Sequence, residues 1–256
     1  MKKILPIVLI VVVGLGLIGG AFLFLKKSTQ APGQKQGVNP DVVKETVLRE
    51  LPLEERPYTT LIPRADGREF HLTISKIPSG AEVLEYELVY KVASGVTQGV
   101  PGSIKINNQS KIERDLLLGT CSSGKCRYDE GVSDGTFTLR FRDNQGRLVA
   151  KLETPFYLRK GGKELKLSGS DFAINNAVLS PSTYYLVMNT FGLPGKVDGN
   201  VSSGPFGVFT KGSEKVSGTV TIGDVQGTIY QWNNSKWNQV SVGKITSLGV
   251  FVLTSK

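Results

Sequence analysis

Leu84-Glu85-Tyr86-Glu87-Leu88-Val89-Tyr90-Lys91-Val92 is the stretch that sets the fold class. Leu84, Tyr86, Leu88, Tyr90 and Val92 recur at every second position, with Glu85, Glu87 and Lys91 between them. Successive side chains of an extended strand point to opposite faces, so a period of two dries one face and wets the other. A helix would need an apolar period near 3.6. The same alternation recurs on either side. Phe70, Leu72 and Ile74 alternate with His71, Thr73 and Ser75, and Phe137, Leu139 and Phe141 alternate with Thr138, Arg140 and Arg142. Pro78-Ser79-Gly80, Asp134-Gly135 and Asp143-Asn144-Gln145-Gly146 read as turns between strands. Strands at this spacing from Tyr58 to about Ile174, seven or eight of them, predict a β-sandwich with Greek-key connections.

Downstream the composition shifts. Arg159 is the last arginine, and the segment beyond it has no cysteine or histidine and fewer acids. These changes place a boundary near Asn175-Asn176. Strand candidates follow at Tyr184–Met188, Phe206–Thr210, Val216–Ile222, Thr228–Trp232, Trp237–Val242 and Ile245–Leu253. They suffice for a second, smaller all-β domain, with one larger sandwich as the rival arrangement.

Upstream lies an uncharged apolar run, Ile4 to Leu25, flanked by Lys2-Lys3 and Lys26-Lys27. As a helix it would be about 33 Å long, enough to cross a hydrocarbon core of about 30 Å. It exceeds the apolar region of a cleaved signal peptide, and Phe22-Leu23-Phe24-Leu25 offers no small-x-small cleavage site at its end. Cleavage at Gly19-Gly20-Ala21 is the minor alternative. A pilin assembly helix would carry an early acid, and the first acid here is Asp41. The reading is an uncleaved single-pass anchor. The lysine pairs balance, so orientation rests on the short N-terminal tail, which would place the body on the extracytoplasmic side. The expected organisation is a transmembrane anchor over residues 1–27 and a Gly/Gln/Pro-rich linker over 28–56 with a short helix at 41–51. An immunoglobulin-like sandwich over 57–175 and a small C-terminal β domain over 176–256 complete it.

The formal charge is +9. Four of the 31 Lys+Arg flank the span, leaving 27 against 22 Asp+Glu in the body. That is an ordinary solubility charge, with no nucleic-acid footprint. One histidine and two cysteines cannot close a zinc site, and nothing in the sequence calls for a cofactor. With one histidine, any Ser-His-Asp triad would have to use His71.

Three local features carry the site candidates. Cys121-Ser122-Ser123-Gly124-Lys125-Cys126 has turn chemistry between its thiols and reads as a disulfide across a hairpin tip, which suits an oxidising compartment. Tyr230, Trp232 and Trp237 lie on the two arms of a second hairpin. They read as core aromatics or as a platform on which sugar rings stack. Glu85 and Glu87 share one strand face about 7 Å apart, a spacing compatible with an inverting glycosidase but common on wet faces.

Two resemblances follow from these residues. Leu118-Gly119-Thr120-Cys121 resembles the end of the sortase motif Thr-Leu-x-Thr-Cys. It implies a membrane-anchored cysteine transpeptidase with Cys121 as nucleophile, His71 as its partner and Arg127 on the oxyanion. Leu117 stands where that motif has its first threonine, His71 lies in a regular strand, and Cys126 offers Cys121 a disulfide partner. The strand spacing from Tyr58 to Ile174 resembles immunoglobulin-like and fibronectin type III-like sandwiches, without the cysteine pair that bridges immunoglobulin sheets. The whole layout is similar to single-pass bacterial envelope proteins. This resemblance implies a non-catalytic role in binding, adhesion or envelope assembly. The partners would be the membrane, through residues 4–25, and a cell-surface polymer, glycan or another envelope protein.

Overall fold

A computed structural model of the chain describes residues 50–223 and 226–255. The span at residues 4–25, the linker and most of the helix expected over 41–51 lie outside the described residues. Among the described residues no helix is long and apolar enough to cross a membrane. All of them belong to one compact unit, and its regular structure is β apart from two single 3-10 turns.

The first half folds as two facing sheets. β1 (Tyr58–Pro63), β2 (Glu69–Ser75), β3 (Val83–Lys91), β4 (Thr97–Lys105) and β5 (Lys111–Leu117) come first. The short pair β6 (Gly119–Ser122) and β7 (Lys125–Tyr128) follows, then β8 (Asp134–Arg142) and the long β9 (Leu148–Gly162). One sheet has the order β1-β2-β5, and the other runs β4-β3-β8-β9. The chain thus leaves the first sheet after β2, makes the β3–β4 hairpin in the second, and returns to pair β5 with β2. The apolar positions of the period-two pattern meet between the sheets. Leu61, Phe70, Leu72, Ile74, Leu84, Leu88, Phe137, Leu139 and Phe141 are fully buried there, and Phe70 meets Phe156 edge-on at 5.6 Å.

The second half does not sit beside the first; it grows out of the same sheet. β10 (Leu165–Lys166), β11 (Phe172–Asn189), β12 (Asn200–Phe209), β13 (Ser217–Ile222), β14 (Thr228–Asn233), β15 (Lys236–Gln239), β16 (Lys244–Ile245) and β17 (Val250–Ser255) complete the chain. The main sheet continues past β9 in the order β9-β11-β12-β17-β14-β15. β11 switches sheets midway. Its first part pairs with β10 and β13, and its last part, Tyr184–Met188, pairs with β9. Irregularities between Asn175 and Val178 and between Leu179 and Tyr184 mark the corner. A bulge that bends a strand is the usual device for such a switch.

β11 therefore faces two cores. Leu186 and Met188 pack into the first, while Tyr185 and Val187, on its other face, pack into a second core with Phe172, Phe206, Val220, Phe251 and Leu253. Four consecutive buried residues in β11 follow directly from this double burial. The division expected at 175/176 falls inside β11. Leu165, Leu167, Phe172 and Ile174 before it belong to the second core, and Leu186 and Met188 after it belong to the first.

Three local expectations need correction. Asp134-Gly135, read as a turn, opens β8. A Cβ at Gly135 would stand 2.1 Å from the Val89 carbonyl oxygen and 2.6 Å from the Phe156 ring. The glycine is there because two neighbouring strands crowd it, not because the chain reverses. The strand expected over Trp237–Val242 stops at Gln239, and the one over Ile245–Leu253 is split into β16 and β17.

Candidate functional site

The Cys121 and Cys126 side chains form a disulfide between directly opposed residues of β6 and β7, with Cα atoms 4.0 Å apart. Ser123 and Gly124 at the tip both have positive φ, 51° and 76°, the requirement of a two-residue type I′ hairpin. Serine has no particular aptitude for that conformation, so the cross-link holds a turn that the backbone alone disfavours. All residues from Thr120 to Arg127 are exposed. The hairpin is fastened at its base. Leu118 is fully buried, the Leu118 amide donates to the Arg68 carbonyl at 2.9 Å, and the Asp129 amide donates to the Leu118 carbonyl at 3.0 Å. Lys125 and Arg127 share the face opposite the disulfide, because side chains alternate along β7.

The sortase-like trio is not assembled in this geometry. The Cys121 sulfur is bonded to Cys126 and carries no thiolate. His71, on the wet face of β2, has Nδ1 2.7 Å from an Asp115 carboxylate oxygen and Nε2 3.7 Å from Glu113. Glu113 is also held by Lys111 at 2.6 Å, which with His71 lowers its pKa. Both ring nitrogens thus face carboxylates from β5. Glu85 and Glu87 are paired across the sheet, Glu85 with Arg142 at 2.9 Å and Glu87 with Arg140 at 3.3 Å. No group of three His, Cys, Asp or Glu among the described residues could hold a metal ion.

The aromatic hairpin is partly buried. Trp232 and Trp237 are direct cross-strand partners, with ring centroids 5.4 Å apart and nearly edge-on. The Trp237 indole nitrogen donates to the Gly195 carbonyl at 3.1 Å. The Trp232 ring lies against Gly195, where a Cβ would come within 2.5 Å of it. Tyr230 and Trp237 pack on a small third cluster of Leu193, Val197 and Val252. The 193–197 loop therefore takes up part of all three rings. On the other face of β14, Gln231 donates to the Ser247 carbonyl at 2.8 Å and Asn233 to the Ser247 hydroxyl at 2.9 Å.

A polar cleft of about 520 Å³ opens between the β1–β2 turn, the 129–133 loop and the end of β9. Arg68, Arg159 and Lys160 line it, together with Asp66, Asp129, Glu130, Tyr157 and Tyr184. Asp66 is matched outright. Its two oxygens take Arg64 Nε and Nη2 at 2.8 and 2.9 Å, and the Arg68 amide adds a third bond at 3.1 Å. These bonds, the Arg64 one foremost, hold the Asp66 carboxyl down at about 2. Asp129 accepts the hydroxyl of the buried Tyr90 at 2.8 Å, and Tyr90 is shifted to high pKa by burial and then by that carboxylate. The cations are held differently. The Arg68 guanidinium sits 4.7 Å from the centre of the Tyr128 ring, and the Lys160 ammonium 5.4 Å from that of Tyr184. Arg159 lies against Gly162, where a Cβ would fall 2.5 Å from its Nε. Among the described residues, none of Arg68, Arg159 and Lys160 forms a salt bridge to a carboxylate.

This cleft is nearly invisible in the sequence. Its charges come from three separate segments, and each looks like a wet strand end or a turn. The Arg64-x-Asp66-x-Arg68 spacing was the one available signal, since residues two apart on an extended turn can share a side. No known family model matches the chain, and no curated protein is similar to it.

Proposed function

We propose that this chain is a membrane-tethered extracytoplasmic protein whose β body has a non-catalytic binding role in the cell envelope. The Cys121–Cys126 disulfide is the observation that carries the location. It bridges a hairpin exposed from residue 120 to residue 127, where cytosolic reductants would have free access. Disulfides in such a position persist in oxidising compartments. The Ile4–Leu25 segment supplies the tether. The three-on-four strand partition of the first half, β1-β2-β5 facing β4-β3-β8-β9, supports an immunoglobulin-like sandwich of the fibronectin type III kind. Such sandwiches serve many functions, so the fold does not by itself name what the body binds.

The test uses intact cells expressing the full chain. Added protease removes the body from unbroken cells (spheroplasts where an outer layer intervenes), and a membrane-impermeant maleimide labels both cysteines only after external reductant. A body protected until lysis, with both thiols free, overturns the proposal.

A further inference from the structure

The two sheets of the first sandwich differ by one strand, and the difference leaves a flank open. A bridge between Tyr58 and Phe191 sets β1 towards the β11 end of the main sheet, so β5 lies towards the β4 end. Three strands facing four leave β4 without a counterpart. Val100 and Ile104, on its inner face, are accordingly only half-buried although they pack on the first core.

Two free edges border this flank, and they differ. The Ile106 amide donates to the Glu82 carbonyl at 2.9 Å and the Val92 amide to the Val96 carbonyl at 3.0 Å. Even-numbered residues of β4 therefore turn their backbone groups to β3, and odd-numbered ones turn theirs outward. Pro101 falls among the odd residues and has no amide hydrogen, so it interrupts the outward row at its centre. β5 has no such block. The Leu118 amide donates to the Arg68 carbonyl at 2.9 Å, and the same alternation leaves the backbone groups of Lys111, Glu113, Asp115 and Leu117 facing outward. On the inner face of β5, Ile112 and Leu116 are buried. Arg114, between them, is exposed and forms no salt bridge among the described residues. An inward-pointing charge at an edge refuses an apolar strand. It also refuses a second β5 in antiparallel register centred on it, which would set Arg114 against Arg114. A strand that brings a carboxylate meets neither objection.

We infer that β5 is an acceptor edge for an extended segment of a partner protein, with an acidic residue opposite Arg114 and apolar residues opposite Ile112 and Leu116. Added there, the segment completes four strands over four. Its backbone pairs with the outward groups of β5, its apolar side chains cover the half-buried face of β4, and its carboxylate meets the guanidinium. Basic residues at the intervening positions stand opposite Glu113 and Asp115 on the outer face. The inference rests on the binding role proposed above and not on the membrane location. Failure of the titration below refutes the acceptor edge alone, and protease protection in cells refutes the location alone.

The experiment titrates the full chain in detergent micelles with a fluorescein-labelled peptide, Thr-Val-Lys-Glu-Lys-Val-Thr, followed by anisotropy. The peptide is expected to bind, and its counterpart with glutamine in place of glutamate to bind about tenfold more weakly, the factor that loss of one charge-assisted contact gives. Hydrogen exchange should show the Glu113 and Asp115 amides newly protected and those of Gly99 and Ser103 on β4 unchanged. Arg114→Glu should reverse the preference, rejecting the glutamate peptide and taking one with lysine at that position; an unchanged unfolding midpoint shows that the variant is folded. The inference is overturned if the glutamate peptide does not bind at millimolar concentration, in which case Arg114 only guards the edge. It is equally overturned if the glutamine peptide binds as tightly, if the Glu113 and Asp115 amides stay unprotected, or if folded Arg114→Glu keeps the parent's preference. A full chain that is dimeric before peptide is added, with those two amides already protected, overturns it in favour of a second copy.

Discussion

Removal of the disulfide, by Cys121→Ser with Cys126→Ser, separates a hairpin that is part of the core from one that is an appendage. The cross-link closes a loop with a sequence separation of 5. Chain entropy for so short a loop sets a ceiling of about 2 kcal/mol on its stabilisation. That ceiling applies only if the segment stays ordered without the bond. Residues 120–127 are exposed and contribute nothing to either large core, and Ser123 sits in a left-handed conformation that costs about 1–2 kcal/mol. Without the bond the tip frays in the native state too, so most of the entropic gain cancels between the folded and unfolded states. The expected loss of global stability is below about 1 kcal/mol, a urea midpoint shift of less than about 0.5 M at an m-value of about 2–3 kcal/mol/M. Trp232 and Trp237 report the global transition, because they lie on the β14–β15 hairpin. Hydrogen exchange reports the local one, and protection over 120–127 should collapse while β3, β8 and β11 keep theirs. Adding Ser123→Gly to the double variant should restore part of that protection. A global loss of 2 kcal/mol or more, or fraying that spreads into β5, would refute the reasoning and make the hairpin a structural member of the first sandwich.

Three further outcomes are expected. Gly135→Ala drives a methyl against the Val89 carbonyl where β8 begins its pairing with β3; it should cost about 2–3 kcal/mol in urea unfolding, and a neutral result would contradict the close approach of β3 and β8. Asp66 should titrate near 2 by carboxyl NMR; because its folded pKa lies below the ordinary 3.8, its contribution to stability is present above pH 3.8 and is lost as the pH falls through about 2, and Arg64→Gln should return the midpoint towards 3.8. Tyr58, pushed up to about 12 by burial, should ionise late at 295 nm; its raised pKa makes the stabilisation complete below pH 10 and lost as the pH rises to about 12, and a midpoint near 10 in the folded protein would contradict that burial.

The strands of the first sandwich were legible because each buries one face only. Leu84 to Tyr90 and Phe70 to Ile74 show the period of two without interruption, and the structure places those residues between the sheets. Legibility fails where a strand is buried on both faces. Tyr185-Leu186-Val187-Met188 has no alternation to read, and its strand turned out to be 18 residues long and bent. The 175/176 boundary rests on arginine, cysteine and histidine usage, which follows surface composition and is blind to which core a leucine enters. Leu165 and Leu167 show the consequence: they precede the boundary and pack beyond it. Asp134-Gly135 failed for a related reason, since a glycine needed for close approach and a glycine needed for a reversal look alike in sequence. The disulfide was legible from spacing and turn chemistry together. The cleft was not, because Arg68, Glu130 and Lys160 come together only through pairings of high sequence separation.

The strand pair shared by both sandwiches sets where its last charged residues go. At the end of β9 the residues alternate between the two cores: Leu158 enters the first, and Tyr157 packs against the second. Arg159 and Lys160 follow immediately, opposite Tyr185 and Tyr184 of β11. Lys160 therefore leaves on the side of the first core, over the Tyr184 ring, and Arg159 on the side of the second, beside Tyr185. Both are mounted on strands clamped from either face and not on a free loop, so their backbone positions are set by folding itself.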